Sequence, residues 1–384
     1  MTAAPRGVRA AAAALIALAL LALIAWHLQR SLPTPGLLDY GSFLESGRAA
    51  ARGENPYGIY PLTFHVVLPG FESWNPNLNP PAALPLFELF DMASPVGGFR
   101  IWWGLSFVAY AVAVALLAHR YAGERWILPV LWAFALAGFW DTLVLGQIYL
   151  PLLLFGILGW LLLDRGHLVL AGIAIGVVVA IKPNFLVWPG LLFLAGHWRA
   201  PVSAGLTFAV LGLVPLLLYG PEVYGQWVEL IRNDEGRAAF LTNASLPGIG
   251  ERAGAGTAAL ALSALLLIAL AVWAFWRKPL PLEASTLGLI GSLVASPIAW
   301  VHYTLFLLPV FFAFRLNWPL RLAAVLLLAP VPLVLRLMNA EPLVQATVGS
   351  VYGWAVVLCL LGAIALLRGQ ARTTADPSAE AAGA

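Results

Sequence analysis

Charge is scarce in this chain: Asp, Glu, Lys and Arg make up 10% of its 384 residues, against about 25% in soluble domains. That excludes an ordinary water-soluble fold. Cysteine occurs once, as Cys359 inside an apolar run, so neither an intrachain disulfide nor a thiolate metal site can form. The 21 Lys and Arg and 18 Asp and Glu stand as scattered singles rather than in a basic stripe, which removes nucleic acid as a partner. HExxH, Walker, GxGxxG and GxSxG patterns are missing from any usable context, leaving cytoplasmic nucleotide chemistry without a home. No internal repeat is visible, as an inverted-repeat transporter would show. Apolar residues supply what is abundant, at 61% of the chain and a mean hydropathy of +0.87. Most of the chain is dissolved in lipid.

Arg6 and Arg9 precede an apolar run from Ala10 to Trp26 that resembles a signal peptide. The run is too long for a typical apolar leader core and has no polar cleavage region, so it reads as a retained first helix with a cytoplasmic amino end. Further candidate spans cover roughly 100–118, 127–140, 148–163, 168–181, 184–196, 202–219, 256–275, 284–299, 302–314, 320–336 and 349–367. The segment 79–92 is apolar but short and contains Glu88 and Asp91; it is read as interfacial or re-entrant. Leaving it out puts 12 of the 21 basic residues on the side of Arg6 and Arg9, as the positive-inside rule requires. The expectation is therefore an all-α polytopic membrane protein with about 12 transmembrane helices and both termini cytoplasmic. Residues 1–372 form a single membrane domain and 373–384 a disordered cytoplasmic tail.

This topology leaves two large loops on the far face, about 30–99 and 220–255, and function is expected there. In the first, Phe43, Leu44, Gly47, Ala50 and Ala51 share one face of a short helix, with Glu45, Arg48 and Arg52 on the other. Such a helix can lie on lipid headgroups, ending at the turn Asn55, Pro56, Tyr57, Gly58. Asp39, at its entrance, is either its N-cap or a general base. Gln147, after Asp141 and Gly146, can bind a sugar hydroxyl or satisfy helix-end carbonyls. Lys182 interrupts two apolar spans on a face where lysine should be rare. It calls for an anionic partner, unless it merely snorkels to headgroups. Trp300, His302 and Tyr303 stand at an outer junction, where the histidine can contact a phosphate, shuttle a proton or belong to an aromatic belt. The second loop adds Arg232, Arg237, Asn243, Ser245 and Arg252; an arginine there can clamp a phosphate or form a solvated face. Residues 243–245 also match the glycosylation sequon.

Taken in order, DYGSFLESGRAARGENPY, NPNLNPPAALPLF, LGQIYLPLLLFGIL, LAGIAIGVVVAIKPNFLVWPGLLFL, NASLPGIGER and SPIAWVHYTLFLLP resemble glycosyltransferase family 87, of the GT-C fold, over about residues 35–315. The resemblance implies a polyprenyl-phosphate sugar donor and transfer to an extracytoplasmic glycolipid or glycan acceptor at a bacterial inner membrane, on its periplasmic face, with mannose as the sugar. It implies Asp39 as base of an inverting transfer, with His302 also in the catalytic set. Lys182, His302 and Arg237 would hold the donor phosphate; Glu45, Arg48, Tyr57, Gln147, Asn243, Trp300 and Tyr303 would meet sugar or acceptor. Membrane lipids, donor and acceptor are then the partners. No cofactor or metal is expected, the only close loop carboxylate pair being Asp234 and Glu235. The chain departs from the family's Tyr-Pro-Pro pattern: Tyr60 is followed by Pro61 and Leu62, and the double proline comes at Pro80 and Pro81, an insertion of about twenty residues. A lipid or glycan transporter or flippase, or a non-catalytic envelope-assembly protein, is the alternative reading.

Overall fold

The protein is described here from a computed structural model covering residues 6–32, 36–233 and 236–375. Its architecture is helical and membrane-embedded. Among these residues, five helices are long and apolar enough to cross a bilayer: Ala10–Ser31, Pro95–Arg125, Arg199–Tyr219, Gly256–Arg277 and Val351–Arg368. Two bent pairs, Ile127–Ala135 with Ala137–Leu145 and Trp318–Leu326 with Val331–Leu337, bring the number to seven if each is one span. The remaining apolar segments fold as shorter helices, among them Tyr149–Asp164, Leu168–Ile181, Pro183–Leu194, Pro281–Val294 and Val301–Ala313. Residues 79–92 break into three pieces, Pro81–Ala83, Leu84–Glu88 and Leu89–Met92, with the Glu88 carboxylate bonded by Tyr219. The final helix runs from Val351 to Ala375; the rest of the tail placed at 373–384, and the pair Asp234 and Glu235, lie outside the described residues.

Close helix packing holds the bundle where lipid provides no hydrophobic drive. Gly172 and Gly176, four apart on Leu168–Ile181, face Arg199–Tyr219 so closely that a Cβ on Gly172 would come within 1.9 Å of Ser203 Oγ and 2.1 Å of the Ala200 carbonyl oxygen. Ser203 Oγ in turn donates to the Val169 carbonyl at 2.9 Å. Replacing Gly172 with valine is expected to destabilise the protein by about 1–3 kcal/mol through overpacking, read as a lowered Tm in detergent.

Two elements differ from the sequence reading. Helix α2 (Leu38–Ala51), which follows α1 (Arg6–Ser31) and is expected to lie on headgroups, is buried on nearly every side, from Asp39 through Gly47 and again at Ala49 and Ala50. Charge neutralisation makes this tolerable: Arg48 donates to Glu45 at 3.0 Å and to Asp91 at 2.5 Å. Its helix is preceded by Leu37 without a side-chain cap, so Asp39 is not the N-cap. The segment between Tyr60 and Pro80 contains an antiparallel hairpin, β1 (Phe64–Leu68) and β2 (Phe71–Asn75), closed at Pro69 and Gly70, with Gly70 at φ +73°. Phe64, Val66, Leu68, Phe71, Ser73 and Asn75 are the more buried residues in its alternation, the period of a strand that covers a core on one side. Ser42 ties the hairpin to α2: its Oγ accepts from Phe64 N at 2.9 Å and donates to the Asn75 carbonyl at 2.8 Å.

Candidate active site

The helix ends that the topology placed on the far face meet around one cavity of about 230 Å³. Its roof is the inner face of the hairpin, Phe64, Val66, Leu68 and Phe71; its polar wall carries Asp39, Asp141, Gln147, Lys182, Arg237 and His302. Trp300 also lines it. Tyr149 in the wall begins the helix Tyr149–Asp164, whose other end, Asp164, accepts from Arg120 Nε at 2.7 Å. The cavity and the Arg120 pair thus lie a helix length apart, about 24 Å.

Asp39 stands in the first turn of α2 and is 3% exposed. Neutral amides bond both carboxylate oxygens: Asn75 Nδ2 donates to Oδ1 and Gln147 Nε2 to Oδ2, each at 2.5 Å. Asn75 is oriented by Arg237, which donates to its Oδ1 and to the Trp74 carbonyl at 2.7 Å. Gln147 reaches Asp39 because Gly146 turns the chain at φ +70° and leaves room where a Cβ would meet Tyr40 Cβ at 2.7 Å. Burial raises the Asp39 pKa to about 6, against the lowering effect of the two amide hydrogen bonds and of the Arg237 and Lys182 charges. A carboxylate of that kind is ionised at neutral pH and basic enough to take a proton.

Lys182 sits where Leu168–Ile181 ends, just before Pro183, and is 7% exposed. Its ammonium lies 4.6 Å from the Tyr149 ring centroid and 5.7 Å from that of Tyr303. Among the described residues no carboxylate comes within ion-pair distance of it. Aromatic faces soften a buried cation without neutralising it; burial lowers the Lys182 pKa while the Asp39 charge in the same cavity raises it, and an arrangement of this kind can receive an anion. His302, 3% exposed, stacks on Tyr149 at 5.1 Å.

The other sequence candidates stand behind the wall. Asn243 is fully buried; its Oδ1 accepts from Ala299 N at 2.9 Å and its Nδ2 donates to the Ala238 and Pro297 carbonyls at 2.8 and 3.1 Å. It thereby ties the Arg237 loop to the Trp300 segment, and its burial removes the sequon from any modifying enzyme. Tyr303 packs on Tyr149 and Phe185. Tyr57 donates to the Asn79 carbonyl at 3.3 Å. Glu45 and Arg48 pair with one another, away from the cavity lining. Sequence reasoning missed Asn75 and the apolar roof. The signal was the alternation FHVVL and FESWN around Pro-Gly, a hairpin pattern.

A helical membrane protein that encloses in one cavity a carboxylate and a lysine with no ion-pair partner among the described residues is suited to group transfer from an anionic substrate. Residues 77–297, more than half of the chain, match glycosyltransferase family 87, and the protein belongs to that family. It is a glycosyltransferase. The matched stretch includes Asp141, Gln147, Lys182, Arg237 and Asn243, while Asp39 and His302 flank it. Comparison with curated proteins and with solved structures gives no match.

Proposed function

We propose that the protein transfers mannose from a polyprenyl-phosphate donor to a glycolipid or glycan acceptor on the periplasmic side of a bacterial inner membrane, by inverting single displacement. The observation that carries this reading is the shared cavity of Asp39 and Lys182. Twelve crossings with both termini cytoplasmic would place that cavity on the far face, where the donor's prenyl chain stays in lipid while its phosphate meets Lys182, Arg237 and His302. The bond between the anomeric carbon and phosphate oxygen breaks, its electron pair leaving with the phosphate. Because that leaving group is an anion, electrostatic stabilisation does most of the work. Asp39, across the sugar, takes the acceptor hydroxyl proton as oxygen bonds to the anomeric carbon. Gln147 and Trp300 would contact sugar or acceptor; Glu45, Arg48, Tyr57, Asn243 and Tyr303 would act on it through the wall they support.

Purified protein in detergent, given polyprenyl-phosphate mannose and extracted membrane glycolipid, is expected to yield a mannosylated lipid detectable by mass. Translocation of the lipid in vesicles without bond formation would overturn the proposal. The pH profile follows from Asp39: protonation below about pH 6 removes the base. The rate should therefore be flat at neutral pH and fall about tenfold per pH unit on the acid side.

A further inference from the structure

We propose that Asp141 is a positioning residue for His302: its carboxylate accepts the imidazole Nδ1–H, and when the donor phosphate is bound the ring takes a second proton from water on Nε2, facing that phosphate. This rests on the reading of the cavity as a polyprenyl-phosphate site. His302 Nδ1 is buried and has no hydrogen-bond partner, and the group facing it is Asp141 Oδ2 at 3.5 Å. Both residues line the cavity. Asp141 makes no other ion pair among the described residues, and the His302 ring is stacked on Tyr149.

The backbone is built to bring the two together. The span carrying Asp141 bends by 46° between Ile127–Ala135 and Ala137–Leu145, and the amide freed there, Ala137 N, donates to the Leu327 carbonyl at 3.1 Å. One turn before Asp141, Gly138 lies so close to the His302 segment that a Cβ would stand 2.7 Å from the Val301 carbonyl oxygen. Only glycine permits this approach of helix to backbone. It sets residue 141 against residue 302 with little play.

The chemistry uses that pairing at a defined moment. A carboxylate behind Nδ1 holds that proton in place, and with the donor phosphate in front of Nε2 the two anions together support the doubly protonated, cationic ring. As the sugar–oxygen bond breaks, the phosphodiester monoanion becomes a monoester with more charge on its oxygens. The Nε2–H bond to one of them strengthens at that point, while the acceptor's proton goes to Asp39. Asp141 therefore acts on the transition state through His302 and touches neither substrate.

The test is a double-substitution cycle in steady-state transfer from polyprenyl-phosphate mannose. Asp141→Asn is expected to lower kcat by about 10- to 100-fold, the range for a hydrogen bond to a charged group, with donor KM little changed. In the His302→Gln background the same change should cost nothing further. A wild-type rate for Asp141→Asn, or equal losses in both backgrounds, would overturn the proposal. Should Asp141→Asn not fold, 15N spectra of histidine-labelled wild-type protein decide it, with His302 assigned by its loss in His302→Gln. A proton-bearing Nδ1 is expected, and a bare Nδ1 refutes the pairing. That readout needs no transfer activity, so absence of any mannosyl transfer by wild type would strike the functional reading alone.

Discussion

Asp39→Asn is expected to cut the transfer rate by about 10²- to 10⁴-fold, the contribution of a positioned general base, while binding of bare polyprenyl phosphate is kept. The substitution is nearly isosteric, and the surrounding amides can absorb it. Asn75 is held by Arg237 with its Nδ2 towards residue 39, so the new side chain must present its oxygen there and its NH2 to Gln147. Gln147 can answer by a flip, because its Oε1 has no partner and the two amide ends are nearly the same size. The variant should therefore fold, keep its cavity and lack only the proton acceptor. Single-turnover transfer alongside phosphate-lipid binding separates the two effects. Transfer at the wild-type rate would remove Asp39 from the mechanism.

Lys182→Met should move two quantities in opposite directions. Donor KM is expected to rise by about 10- to 100-fold, because a hydrogen bond between charged groups is lost. Stability in detergent without donor should increase, since a buried lysine that stacks on rings and has the Asp39 charge near it but beyond ion-pair distance is replaced by a thioether that packs well on aromatics. A Tm that rises while donor affinity falls identifies a cation kept for its ligand rather than for the fold. Unchanged KM would exclude Lys182 from the phosphate site.

Much of this arrangement was legible because lipid is a strict solvent. In a chain so poor in charge, polar residues gather outside the apolar runs: Gln147, Lys182, Trp300 and His302 at their ends, Asp39 and Arg237 in the two large loops, and all six meet in one cavity. Family membership was legible in the order of short motifs over about residues 35–315, of which 77–297 match the family. Local reasoning failed where tertiary contacts decide the outcome. An amphipathic pattern in α2 reads equally as a helix on headgroups or as one sealed into protein, and its tertiary partners, Asp91 on Arg48 and the hairpin on Ser42, distinguish them. Asp39 has the spacing of a cap, yet its oxygens are bonded from residues 36 and 108 positions away. Asp141 stood in view beside Gly146, but its opposition to His302 depends on how tightly Gly138 lets two segments approach.

The hairpin lies between Tyr60 and the double proline Pro80 and Pro81, and it carries Asn75. Whatever lifts β1 and β2 to widen the cavity also withdraws one of the two donors on Asp39 and the Arg237 link behind it. Roof and base are thereby coupled through Asn75: with the hairpin lifted, Asp39 keeps Gln147 alone of its two amide donors and loses the orientation that the pair imposes on its carboxylate.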